Sequence, residues 1–225
     1  LSSTNSAINQ TAGALAVTGV TSVSAGTGAI TLTRAANNFA GAVNATGFNI
    51  SLHDADAIVL GDITATGTLS VTALGGSITQ TAALDRVRVT GLSTLSATDN
   101  ITLANAGNDF QAAVTLGSTG ASVSIRDTDA LMLATPTLGA NTALTAIAGT
   151  TLTLPVAAIN TGTGAMDLRS LGGSITTAGA LSGGTVNLFG SSGLNLGHNV
   201  TAGGALTLSS TNSAINQTAG ALAVT

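Results

Sequence analysis

Two pairs of carboxylates stand out in a chain with few charges: Asp54-x-Asp56 and Asp127-x-Asp129, each beginning two residues after an aliphatic doublet, with Asp62 close to the first. Paired carboxylates on a turn offer the hard oxygens that Ca²⁺ gathers in sets of about six to eight, so Asp54, Asp56, Asp127 and Asp129 are the metal candidates. The competing reading is that each Asp closes an Asx turn where the chain changes direction. That reading is preferred, because the G-G-x-G-x-D repeat of calcium-loaded solenoids is missing. A third related segment also carries Gly190 and Ser192 where the acids would stand. On an outer surface the same acids would be a general acid and base for polysaccharide cleavage, but a pattern that recurs argues against one active centre. His53 and His198 are the only histidines. No nucleophile and base can be paired from them, so they read as solvated turn residues and no catalytic residue is assigned.

Phe39, Phe48, Phe110 and Phe189 are the only aromatic residues; they read as plugs of a core that bends or widens, with a sugar-stacking platform as the alternative. Asn37, Asn38, Asn108 and Asp109 can bond neighbouring backbone or form ladders. Sequons at Asn9, Asn44, Asn49, Asn100, Asn199 and Asn216 follow from the abundance of Ser and Thr. Thr31, Thr33, Thr151 and Thr153 suggest the hydroxyl arrays of ice-binding solenoids but are not spaced as one flat ladder.

Composition says what can hold these residues. Of 225 residues, 44% are hydrophobic and 6% charged, enough apolar side chain for a continuous core. All nine acids are Asp and all five bases Arg, and Lys, Glu, Cys, Trp and Tyr are absent. So narrow an alphabet records repetition. The net charge of −4 is spread thinly, and Arg34, Arg86, Arg88, Arg126 and Arg169 form no basic stripe, so nucleic acid is not an expected partner. Without cysteine there is no disulfide framework, which fits large chains exported unfolded. The chain opens on Leu1 with neither an initiator Met nor a signal segment and reads as a window of a longer protein. No apolar run reaches the roughly 18 residues of a spanning helix. Short segments without Tyr or Trp disfavour a membrane barrel as well.

Repetition is explicit. Residues 1–18, LSSTNSAINQTAGALAVT, return without a change at 208–225, which sets a period of 207. Residues 1–207 are thus one full tandem repeat, and 208–225 begin the next. Inside it, Asn49-Ile-Ser-Leu52 recurs as Ser122-Val-Ser-Ile125 and as Thr185-Val-Asn-Leu188, dividing the period into three degenerate units of about 69 residues. Asn37-Asn38-Phe39-x-x-x-Val43 returns as Asn108-Asp109-Phe110-x-x-x-Val114.

The finest grain is an apolar-x-apolar doublet, such as Ile30/Leu32, Ile50/Leu52, Ile58/Leu60, Val123/Ile125 and Leu194/Leu196. Alternation with period two means short strands with one buried face. Related doublets return after roughly 20 residues, between Gly, Asn, Asp, Ser and Thr. Strands so short bury their apolar faces only by stacking coil upon coil. The fold expected is all-β, a right-handed parallel β-helix (β-solenoid) with coils of about 20 residues, continuous over 1–225. A helical solenoid would need apolar positions at i, i+3 and i+4, and its helices would have to absorb 29 glycines.

The coil length, the Asn-(Asn/Asp)-Phe motif, and the phrases GGSITQTA (75–82) and TVNLFGSSGLNLG (185–197) resemble the repeat regions of filamentous haemagglutinin-type exoproteins. These are giant adhesins of Gram-negative bacteria, released by two-partner secretion, with right-handed β-helical shafts. The resemblance implies an extracellular or cell-surface location and a structural role in adhesion, biofilm or fibre formation. On the residues themselves no enzymatic activity and no cofactor are expected, Ca²⁺ at the Asp pairs being the one candidate. The expected partners are further copies, end to end or laterally, and host or matrix glycans. A binding module whose outer face recognises glycans or host receptors is the first alternative, and a polysaccharide-cleaving enzyme the distant one.

Overall fold

The computed structural model describes residues 1–80 and 84–225; Thr81 and Ala82, the last residues of the GGSITQTA phrase, lie outside them. The regular structure described is strand, and every strand pairing described is parallel. About ten coils of roughly 21 residues stack into a β-solenoid. Coil length is less even than the doublets suggest: Ile50 pairs with Leu69, and Leu69 in turn with Ser93, so the first of these two coils is visibly the shorter.

The doublets do what their alternation requires. In Ile50–Asp54 and Leu69–Ala73 every second residue is buried and the residues between face outward. Because successive coils lie in register, like stacks on like. One inward column runs Ile8, Ile30, Ile50, Leu69, Ser93, Val114, and its neighbour runs Leu32, Leu52, Val71, Leu95, Leu116. On another wall Ile58, Ile78, Ile101, Val123, Leu144, Met166, Val186 and Leu206 follow one another. Each buried aliphatic side chain contributes about 1.5–3 kcal/mol, offset by the entropy of ordering the chain. Corners turn on glycine where a side chain has no room. At Gly162, φ is 60°, and a Cβ would run into the Ala140 carbonyl of the coil before.

The number of walls changes along the axis. Ile58–Ala65 is one long strand whose first half pairs with Ile78–Gln80 and whose second half pairs with Val87–Val89. Val43–Gly47 below it pairs with both halves, the register shifting between Val43 and Ala45. One wall thus becomes two. Other ladders stop: Ala16–Val17 pairs with Asn38–Phe39 and ends there, and Val87–Val89 pairs with Asp109–Phe110 and ends there. Both closing strands carry the Asn-(Asn/Asp)-Phe motif.

Candidate functional site

A strand that ends a ladder leaves backbone N–H and C=O groups without strand partners, and when buried they must be bonded some other way. The recurring polar residues supply those bonds. Above Asn38–Phe39, the Asn37 carbonyl accepts the Ala55 N–H at 2.7 Å, and the Phe39 N–H donates to Asp54 Oδ2 at 2.8 Å. Above Asp109–Phe110, the Asn108 carbonyl accepts the Thr128 N–H at 2.7 Å, and the Phe110 N–H donates to Asp127 Oδ2 at 2.7 Å. The second oxygen of each carboxylate accepts the N–H two residues on, from Asp56 at 2.9 Å and Asp129 at 2.8 Å. Asp54 and Asp127 are fully buried, as are Phe39 and Phe110, which fill the core where the wall stops.

Beneath each cap lies a pair of side-chain amides. Asn37 Oδ1 accepts Gln10 Nε2 at 2.7 Å and the Leu15 N–H at 2.9 Å, while its Nδ2 donates to Gln10 Oε1 at 2.8 Å and the Leu32 carbonyl at 3.2 Å. Asn108 repeats this with Gln80, the Val87 N–H and the Leu103 carbonyl, at 2.8 to 3.0 Å. All four bonds an amide can make are made, each time in a buried place. Asn37 and Asn108 were legible as ladder or backbone binders. Gln10 and Gln80 were missed, although the shared Ile-x-Gln-Thr-Ala at 8–12 and 78–82 marks them.

The structure therefore places the four carboxylates singled out as metal candidates in two copies of one arrangement. Asp54 and Asp127 have both oxygens on backbone N–H groups. Asp56 accepts the Asn38 amide at 2.9 Å, and Asp129 Oδ1 accepts the Ala130 N–H at 2.6 Å. Asp62 accepts the Arg86 N–H at 3.1 Å, away from both pairs. Among the described residues no three His, Asp or Glu side chains converge on one point. Burial pushes the Asp127 carboxyl from its ordinary 3.8 to about 6; the N–H groups of Asp129 and Phe110 oppose the rise, and the nearby Asp129 carboxylate adds to it.

His53 lies half-buried in the strand Ile50–Asp54 rather than in a turn, and His198 sits at a corner with Nδ1 2.9 Å from the Thr177 carbonyl. Several sequon asparagines tie one coil to the next, Asn44 from within the strand Val43–Gly47 and the others from corners. Asn44, Asn49, Asn100 and Asn199 accept the N–H of Asp62, Thr68, Ser122 and Ala221, each from the next coil, at 2.8 to 2.9 Å.

Two outward surfaces became visible only with the register. Thr31 and Thr153 do lie on different walls, but a different set, Thr31, Ser51, Ser70, Thr94 and Thr115, forms one continuous hydroxyl column. On the wall through Leu144 and Met166, Arg169 lies over the Phe189 ring at 5.3 Å from its centre, beside the Asp167–Asn187 pair bonded at 2.8 Å. The Arg169 Nε is buried there without a hydrogen bond. Phe48, by contrast, is exposed at a corner.

The chain matches the model of the family described as repeats of unknown function (DUF5649) over residues 1–46 and again over 47–117. It belongs to that family. The second DUF5649 match runs from the end of the strand Val43–Gly47 into Val114–Ser118, and so holds one complete arrangement of Gln80, Asn108 and Phe110. No curated protein and no solved structure matches the chain. This DUF5649 chain is a repeat protein with a β-solenoid fold.

Proposed function

We propose that the chain is a shaft segment of a secreted bacterial surface protein: a rod without catalytic activity, built from tandem 207-residue repeats. In this reading it supports adhesion, biofilm or extracellular fibre formation, as the shafts of filamentous haemagglutinin-type exoproteins do. The observation that carries it is the seam between repeats. Residues 208–225 leave the ladders at the places where residues 1–18 enter them. Ser209 pairs downward with Phe189, and its twin Ser2 bridges upward to Ser24. Ile215 pairs downward with Leu194, and its twin Ile8 pairs upward with Ile30. Ala223 and Val224 pair downward with Thr201 and Ala202, and their twins Ala16 and Val17 pair upward with Asn38 and Phe39. Three ladders cross the joint in register, so an array of repeats is one uninterrupted rod. The polar residues whose spacing suggested chemistry are spent on closing and opening walls, and no cofactor is required. Negative-stain electron microscopy of the native protein should show rods that lengthen by about 48 Å per repeat, at about 4.8 Å per coil. Globular particles would refute the reading.

A second reading, in which the outer face holds a glycan, is favoured by one place. Phe189, Arg169, Asp167 and Asn187 combine a ring, a cation and amide and carboxylate groups on one wall, a set suited to an acidic sugar. A glycan array probed with a two-repeat protein should show binding that is lost on Phe189→Ala. An array without signal would leave the shaft reading alone.

A further inference from the structure

Only five arginines carry the positive charge of this chain, and two of them stand in one outward column. Arg126 pairs in register with Ile147, Ile147 with Arg169, and Arg169 with Phe189. All four alternate with buried residues on their strands and are half-buried themselves. The two cations are therefore two coils apart, about 9.6 Å along the axis. Among the described residues neither guanidinium has a carboxylate partner. Asp167, two residues before Arg169 on the same face, has Oδ1 on the Asn187 amide instead. Phe189 holds Arg169 from one side, while the buried Nε is left without a hydrogen bond. A guanidinium already fixed against a ring loses less freedom on meeting an anion than a free one does. Ile147, between the cations, offers no polar group. Alongside runs a second outward column in which Ser124, Thr145, Asp167 and Asn187 are register partners, and their hydroxyl, carboxylate and amide groups suit the hydroxyls of a sugar.

We infer that this double column binds a linear acidic polysaccharide laid along the rod axis, with a carboxylate on every second sugar, one on Arg169 and the next on Arg126. The inference rests on the reading in which the outer face holds a glycan, and it adds Arg126, the direction of the polymer and the period of its charge. Two coils are close to the length of one disaccharide, so alternate carboxylates meet the two cations in turn. A polymer charged on every sugar would set its intervening carboxylate over Ile147, where it sheds water and gains no partner.

Isothermal titration of the full chain with three oligosaccharides of equal length tests this: one with a carboxylate on alternate sugars, one with a carboxylate on every sugar, and one with none. The first should bind about tenfold more tightly than either of the others, and less tightly as salt is raised. That comparison needs no substitution, so it holds whether or not a variant folds. Arg126→Gln and Arg169→Gln should each weaken binding about tenfold. Arg88→Gln, which removes an exposed cation on the ladder of Val87–Val89, should leave it unchanged. Equal affinity for the two acidic oligosaccharides overturns the inference, as does a loss in Arg88→Gln as large as that in Arg126→Gln. Binding of none of the three overturns it too, while the glycan reading itself falls only when the array is also silent.

Discussion

Asp127 shows how a residue that looks catalytic can serve the wall it sits in. Its carboxyl is buried and raised to about 6, so the folded chain holds that proton more tightly than the unfolded chain, where the ordinary 3.8 applies. The group's contribution to stability is fully present below about pH 4, declines as the pH rises through 6, and is constant above. The difference in Tm between the wild type and Asp127→Asn should therefore shrink from pH 4 to pH 6.5. A thermal-unfolding series across that range checks it, and a difference that grows with pH would contradict the burial. Ser93 is a separate case. It interrupts an aliphatic column between Leu69 and Val114, and its buried hydroxyl has no hydrogen-bond partner. Ser93→Ala removes an unsatisfied group and should raise stability by about 1 kcal/mol, read from the urea midpoint.

At the scale of elements, the solenoid gains and loses walls, and the two losses at Asn38–Phe39 and Asp109–Phe110 are handled by one device: an amide pair under the last strand and a carboxylate over it. The two halves of the amide pair come from different coils, 28 residues apart for Gln80 and Asn108. Asn108→Ala leaves the half-buried Gln80 amide and the buried Val87 N–H without their partner and should cost about 3 kcal/mol. Gln80→Ala should cost a similar amount, and the double variant much less than the sum. A double-mutant cycle by denaturant unfolding should return a coupling of about 1–3 kcal/mol. Additive effects would mean that the two amides do not act as a pair. The doublets, the Asn-(Asn/Asp)-Phe motif and the DxD pairs were all legible as separate features. That they form one device was not, because the contacts between them depend on which corner lies over which strand.

For the whole molecule, each coil touches only its neighbours, so stability is close to a sum of coil and interface terms. A coil covered on one side holds its hydrogen bonds less firmly than one covered on both. Hydrogen exchange should then be slowest in strands such as Leu69–Ala73 and Val123 to Ile125, and about a hundredfold faster in residues 208–225. In a chain extended by a further repeat, the amides of 208–225 should become as protected as those of the interior. Exchange that stays fast there would mean that the ladders do not cross the seam.

The sequence by itself determined the period of 207, the short one-sided strands and the need for coils to stack, because alternation, glycine content and identity of segments are local properties of the chain. Coil spacing was readable to within a few residues. Only the tertiary structure decided which acids are buried, which amides meet, and which hydroxyls share a column. The reason is geometric: a corner slightly longer or shorter leaves the alternation of each strand unchanged but alters which residue lies over which. Coils of unequal length stacked together place Asp54 over Phe39 and Gln80 beside Asn108, and no inspection of either strand alone contains that pairing.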